Sequence, residues 1–102
     1  MPSRIDLHNI FVEILGSNNV YFQPPASVIM QYPAIKYSRK DMHGEFANDG
    51  LYFHSPQYEV ILIDKNPDSE FIEKILMLPY CHFNRHYEVD NLNHDVFTIY
   101  QS

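Results

Sequence analysis

Residues 58–64, Tyr-Glu-Val-Ile-Leu-Ile-Asp, constrain the fold more than any other stretch of the chain. In an extended backbone, side chains alternate between two faces. Tyr58, Val60 and Leu62 then point one way and Ile61 and Ile63 the other, so both faces are apolar near the middle. A strand that must be covered on both sides belongs inside a sheet, with other strands beside it. The spacing therefore predicts a central strand here, and the rest of the chain must supply its neighbours and its cover.

The cover comes from two helical patterns. Leu7, Ile10, Phe11, Ile14 and Leu15 fall at i, i+3, i+4, i+7 and i+8, which is one apolar stripe. Ser3 is a suitable N-cap, Asp6 completes a carboxylate version of the capping box, and Gly16 is the natural stop, so a helix is predicted over residues 4–15. A second helix is expected to open at Asn66-Pro67-Asp68, with Asn66 as cap and Pro67 at the first helical position. Phe71, Ile72, Ile75, Leu76 and Met77 form its buried side, Glu70 and Lys74 form an i,i+4 pair, and Pro79 ends it.

The remaining strands are shorter. Val20-Tyr21-Phe22 reads as a strand stopped by Pro24-Pro25, and residues 34–39 alternate with Ile35 and Tyr37 on the drier side. Val28-Ile29-Met30 lies among prolines and reads as a packed loop. Residues 40–55 lack periodicity and read as a long loop, with a short strand near Leu51-Tyr52-Phe53. Residues 80–89 alternate, a polar connection runs over 90–95, and Val96 to Tyr100 closes a hairpin. The expected fold is one α+β domain over 1–102: two helices packed on one face of a mostly antiparallel sheet of four to five strands, in the order α-β-β-(β)-β-α-β-β.

Composition narrows the function. Thirteen acids against seven bases leave a net charge of −6, which argues against coating nucleic acid or an anionic membrane. The longest apolar runs are four residues, far short of the ~20 that span a bilayer. Asp6 stands where a signal peptide would begin its apolar core, and Cys81 has no second cysteine to pair with. Synthesis and folding in a reducing cytoplasm are expected.

Six histidines (His8, His43, His54, His82, His86, His94) raise the question of a metal. The closest useful pair, His82 and His86, share a face of a regular strand but stand roughly 13 Å apart, too far for one ion bound at ~2 Å. Cys81 alternates with Phe83 on the apolar side, as an inert thiol does. Asp64, Asp68, Asp90 and Asp95 fit turn and cap chemistry, and the three glycines stand alone rather than in a phosphate-cradling loop. No catalytic residue, cofactor or metal is expected. Folding alone leaves Val28, Ile29, Met30, Phe46, Leu51, Tyr52 and Phe53 unexplained, and these are the candidates for contact with another chain.

Four stretches resemble one family: Val20-Tyr21-Phe22-Gln23-Pro24-Pro25, then Tyr32-Pro33-Ala34-Ile35-Lys36-Tyr37, then Tyr58 through Glu70, and Asp90-Asn91-Leu92-Asn93-His94-Asp95-Val96-Phe97-Thr98. The chain is similar to the tail terminator, tail completion or minor head–tail joining proteins of long-tailed, non-contractile bacteriophages and prophages. The resemblance implies a non-enzymatic virion subunit, made in the bacterial host cytoplasm, that forms a ring, a hexamer in such families. That ring would cap the tail tube, dock it to the head connector and let duplex DNA pass without specific binding. Asp41, Glu45 and Asp49 are the acids expected to line its channel. A small cytoplasmic regulatory or peptide-binding module is the alternative reading.

Overall fold

The computed structural model describes residues 4–46 and 52–100, with side chains over 4–40 and 57–100. The elements run α1 (Arg4–Leu15), β1 (Val20–Phe22), β2 (Ala34–Phe46), β3 (Tyr52–Asp64), α2 (Phe71–Leu76), β4 (Cys81–Val89) and β5 (Leu92–Tyr100). They form an α+β fold with one five-stranded sheet in the order β1-β2-β3-β5-β4. β3 is central, as its two apolar faces require. Every pairing is antiparallel except β1 with β2.

One face of the sheet meets both helices. Leu7, Phe11 and Leu15 of α1 and Ile75 of α2 pack on Ile35, Tyr37, Tyr58, Val60, Leu62, Phe97 and Ile99. Phe11 and Tyr37 are fully buried and meet edge-on, ring centroids 5.2 Å apart. Full burial of a ring of this size contributes roughly 1.5–3 kcal/mol relative to exposure. Gly16 ends α1 at φ +69, its N–H donating to Val12 O at 2.9 Å, which is the left-handed stop the sequence calls for. The Ser3 cap lies outside the described residues. On the opposite face Ala34, Ile63 and Val96 are also buried. Ile63 pairs across to Ala34 and Val96 to Ile61, so these compact side chains shield one another.

Four local expectations need correction. The segment read as a loop over 40–55 carries paired strand on both sides: Met42 to Phe46 pairs with Tyr52 to Pro56 past a register shift between Arg39 and Met42. The short strand near Leu51-Tyr52-Phe53 is the beginning of β3, while Leu51 itself lies outside the described residues. Next, β5 starts at Leu92, so the polar connection shrinks to Asp90 and Asn91, both at positive φ. That is the two-residue primed turn whose twist matches the strands.

The other two concern α2 and β4. α2 opens at Phe71 rather than at Pro67 because Asx chemistry holds the chain in turns first. Asp64 Oδ1 accepts from Asn66 N–H at 3.1 Å and Asn66 Oδ1 accepts from Asp68 N–H at 3.0 Å. Leu76 and Met77 are exposed, because a helix of one and two-thirds turns fully buries only Ile75. Lys74 lies over the Phe71 ring, 5.6 Å from its centroid, instead of pairing with Glu70. In β4 a register shift between Phe83 and Arg85 turns the strand. His82 sits across from Thr98 and His86 across from Asp95, so the two histidines fall on opposite faces.

Candidate interaction surface

Apart from Ile5 on α1, the exposed large apolar side chains among the described residues lie toward two opposite edges of the sheet. At the β4 edge, Leu76, Met77, Tyr80 and Phe83 are all exposed, Met77 at 83%. They lie within eight consecutive residues, where the chain leaves α2 and enters β4. Phe83 is anchored by an edge-on contact with Phe97, centroids 5.5 Å apart, and still shows nearly half its surface. Tyr80 stands at φ +59, a region that costs a bulky L-residue about 1–2 kcal/mol. Its carbonyl accepts from Tyr100 N–H at 3.1 Å, which fixes the turn, while the ring projects into solvent.

β4 is an edge strand of nine residues, and unpaired edges invite strand addition. Here Arg85, His86 and Glu88 and the bulge at Asn84 blunt it. What this edge offers is therefore its exposed apolar side chains rather than a ladder ready for extension.

At the other edge, β1 must return to start β2 in parallel, and a parallel connection cannot be a tight turn. Residues 23–33 make that return, and prolines 24, 25 and 33 keep it from becoming a helix. Gln31 N–H donates to the Tyr21 hydroxyl at 3.3 Å, tying the loop to β1. Of the expected contact residues here, Val28 and Met30 are half-buried and Ile29 is 89% exposed, the most exposed large apolar side chain described.

A third feature lies at one end of the sheet. β5 pairs with β3 only from Gln57 onward, and β1 pairs with β2 only at Ile35–Tyr37. Beyond the shift at Arg39, β2 and β3 pair with each other alone, forming a two-stranded arm. It accounts for the elongated outline of 50 × 29 × 24 Å. Two strands without further partners are marginal in water, so such an arm gains most when something packs on it. Phe46, Tyr52 and Phe53 lie on the arm, with Glu45 across from Phe53, and Asp41 sits in the shifted stretch. Leu51 and Asp49 lie outside the described residues.

The four histidines whose side chains are described, His8, His82, His86 and His94, are engaged. His8 Nδ1 lies 2.7 Å from the Tyr37 hydroxyl, and burial, with the Arg4 charge, lowers its pKa. His86 Nε2 lies 3.1 Å from Asn93 Oδ1, His94 stacks on Tyr87 at 4.7 Å, and His82 meets the Tyr100 ring edge-on. His43 and His54 lie on the arm. Among the described residues no three His, Cys, Asp or Glu side chains converge to hold a metal. Burial pushes the Cys81 thiol up to about 11, so it is un-ionised and a poor nucleophile at neutral pH. No described helix is long and apolar enough to cross a membrane.

Of the exposed apolar side chains, the sequence singles out Ile29 but not those at the β4 edge. Met77 and Leu76 continue the α2 stripe in the sequence, and only the early end of the helix exposes them. Comparison with protein-family models, with curated proteins and with solved structures finds no match.

Proposed function

We propose that this chain is a non-enzymatic assembly subunit that binds copies of itself head to tail. A head-to-tail contact needs two different surfaces on one chain, and a ring results when the rotation closes. The observation that carries this reading is the pair of exposed apolar sites at opposite sheet edges: Leu76, Met77, Tyr80 and Phe83 beside β4, and Ile29 beside β1. The occupant of each is the other, on the next copy.

The sequence resemblance directs this reading to a ring that terminates a phage tail tube and joins it to the head connector. A net charge of −6 per copy suits such a ring, because duplex DNA binds cations and slides past acids. Asp41 and Glu45 on the arm are acids that suit the channel wall.

Two single variants test it. Phe83→Glu blocks one surface and Ile29→Glu the other, both at exposed positions that leave the core untouched. Each alone is expected to stay monomeric, while an equimolar mixture gives dimers joined through the one intact pair of surfaces, seen by mass-resolved light scattering. Variants that assemble like the parent would overturn the proposal. A parent that is monomeric throughout would favour the peptide-binding module instead.

A further inference from the structure

We infer that the cleft between the start of α1 and the middle of β2 is a binding site for a small doubly charged oxyanion, a phosphomonoester at its simplest. The cleft has a volume of about 330 Å³ and is lined by Arg4, Phe22, Gln23, Arg39 and Tyr58. Two of the chain's three arginines thus face one cavity, in a protein whose net charge is −6.

These two cations reach the cleft from different elements, Arg4 from the first turn of α1 and Arg39 from β2. Bringing like charges together costs energy unless something opposes it. Neither arginine takes part in the ion pair found among the described residues. Arg4 donates to the Tyr37 hydroxyl at 3.5 Å and lies over the Phe22 ring, 4.3 Å from its centroid. The backbone N–H of Arg39 donates to Gln23 Oε1 at 3.3 Å, which fixes the strand and leaves the exposed guanidinium available. The ion pair found among the described residues, Lys40 with Glu59, is on the opposite face of the sheet.

The charge on the ligand follows from this count. A monocarboxylate would match one guanidinium and leave the other unanswered. A phosphate dianion matches both, and its oxygens suit the planar guanidinium fork. The floor is aromatic, since Tyr58 sits across from Arg39 and Phe22 lies under Arg4. A water takes about 30 Å³ of liquid volume, so the cleft holds a phosphate and leaves room for a small group attached to it.

Titration of the full chain with glycerol phosphate and with inorganic phosphate, followed by calorimetry and by tyrosine ring resonances, tests the site. Saturable one-to-one binding is expected, weakened about tenfold or more in Arg39→Gln, since that removes one charge-assisted contact from an exposed side chain. Arg4→Gln should weaken it too. The melting temperature of each variant shows whether the fold is kept, and Arg39→Gln decides the matter if Arg4→Gln is unstable. Absence of saturable binding, equal affinity in parent and Arg39→Gln, or binding of a short DNA duplex but of neither small anion would overturn the inference. None of these outcomes depends on whether copies of the chain associate.

Discussion

Tyr80 combines a left-handed backbone with a ring that is mostly in solvent. The conformation costs energy and the ring contributes little to the core, so the residue makes sense where the ring is used by another molecule. Replacing it by glycine relieves the backbone and deletes the ring. Tyr80→Gly is expected to raise the stability of the monomer by about 1 kcal/mol in urea titration, offset partly by the entropy of glycine, and to weaken self-association. Loss of stability with unchanged association would contradict the account of this residue. Asp95 is a second residue held at a cost. It is almost fully buried, and its Oδ2 has no hydrogen-bond partner. Burial pushes its carboxyl above the ordinary 3.8, Asp64 adds to the shift, and His86 and His94 oppose it. The folded chain then keeps a proton that the unfolded chain releases first. Stability on this account is fullest below 3.8 and declines as the pH rises through the raised value. Asp95→Asn cannot ionise, so its urea midpoint should exceed that of the parent at pH 7 and the gap should close in acid. A gap that widens in acid would contradict it.

At the scale of elements, the parts of the fold legible in the sequence are those where one signal acts alone. The doubly apolar stretch over 58–64 became the central strand, and the α1 stripe with Gly16 became a helix ending where the glycine stands. Misreadings arose where two local signals compete. Asn66-Pro67-Asp68 carries both cap and turn chemistry, and the side-chain bonds of Asp64 and Asn66 decided for the turn. Residues 92–95 look like a polar connection, yet Asn93 donates to the carbonyls of Asp64 and Lys65, so its polarity serves pairing inside the sheet. The paired stretches 42–46 and 52–56 have no hydrophobic alternation because a ribbon of two strands has no third strand to set one. The exposed apolar side chains were half legible: exposure depends on where a helix stops, which residue type does not encode. The Asp90-Asn91 turn offers the test at this scale. Both residues are at positive φ, which Asn and Gly tolerate and β-branched residues do not. Asn91→Gly should hold or slightly raise the urea midpoint, while Asn91→Val should cost about 1–2 kcal/mol. Equal stability of the two would argue against the primed turn.

Considered whole, the molecule is an elongated acidic body most of whose exposed large apolar side chains, among the described residues, stand toward opposite edges of the sheet. That arrangement disfavours a self-complementary dimer and suits a chain of subunits that closes on itself. Charge opposes it: copies at −6 repel, so association should strengthen as salt screens them. Sedimentation velocity of the full chain, over a series of protein concentrations at low and at moderate salt, measures this most directly. The account predicts a rise from the 12.1 kDa monomer to one closed multiple of that mass, reached at lower concentration in the higher salt. A 12.1 kDa species at every concentration and both salts would contradict it.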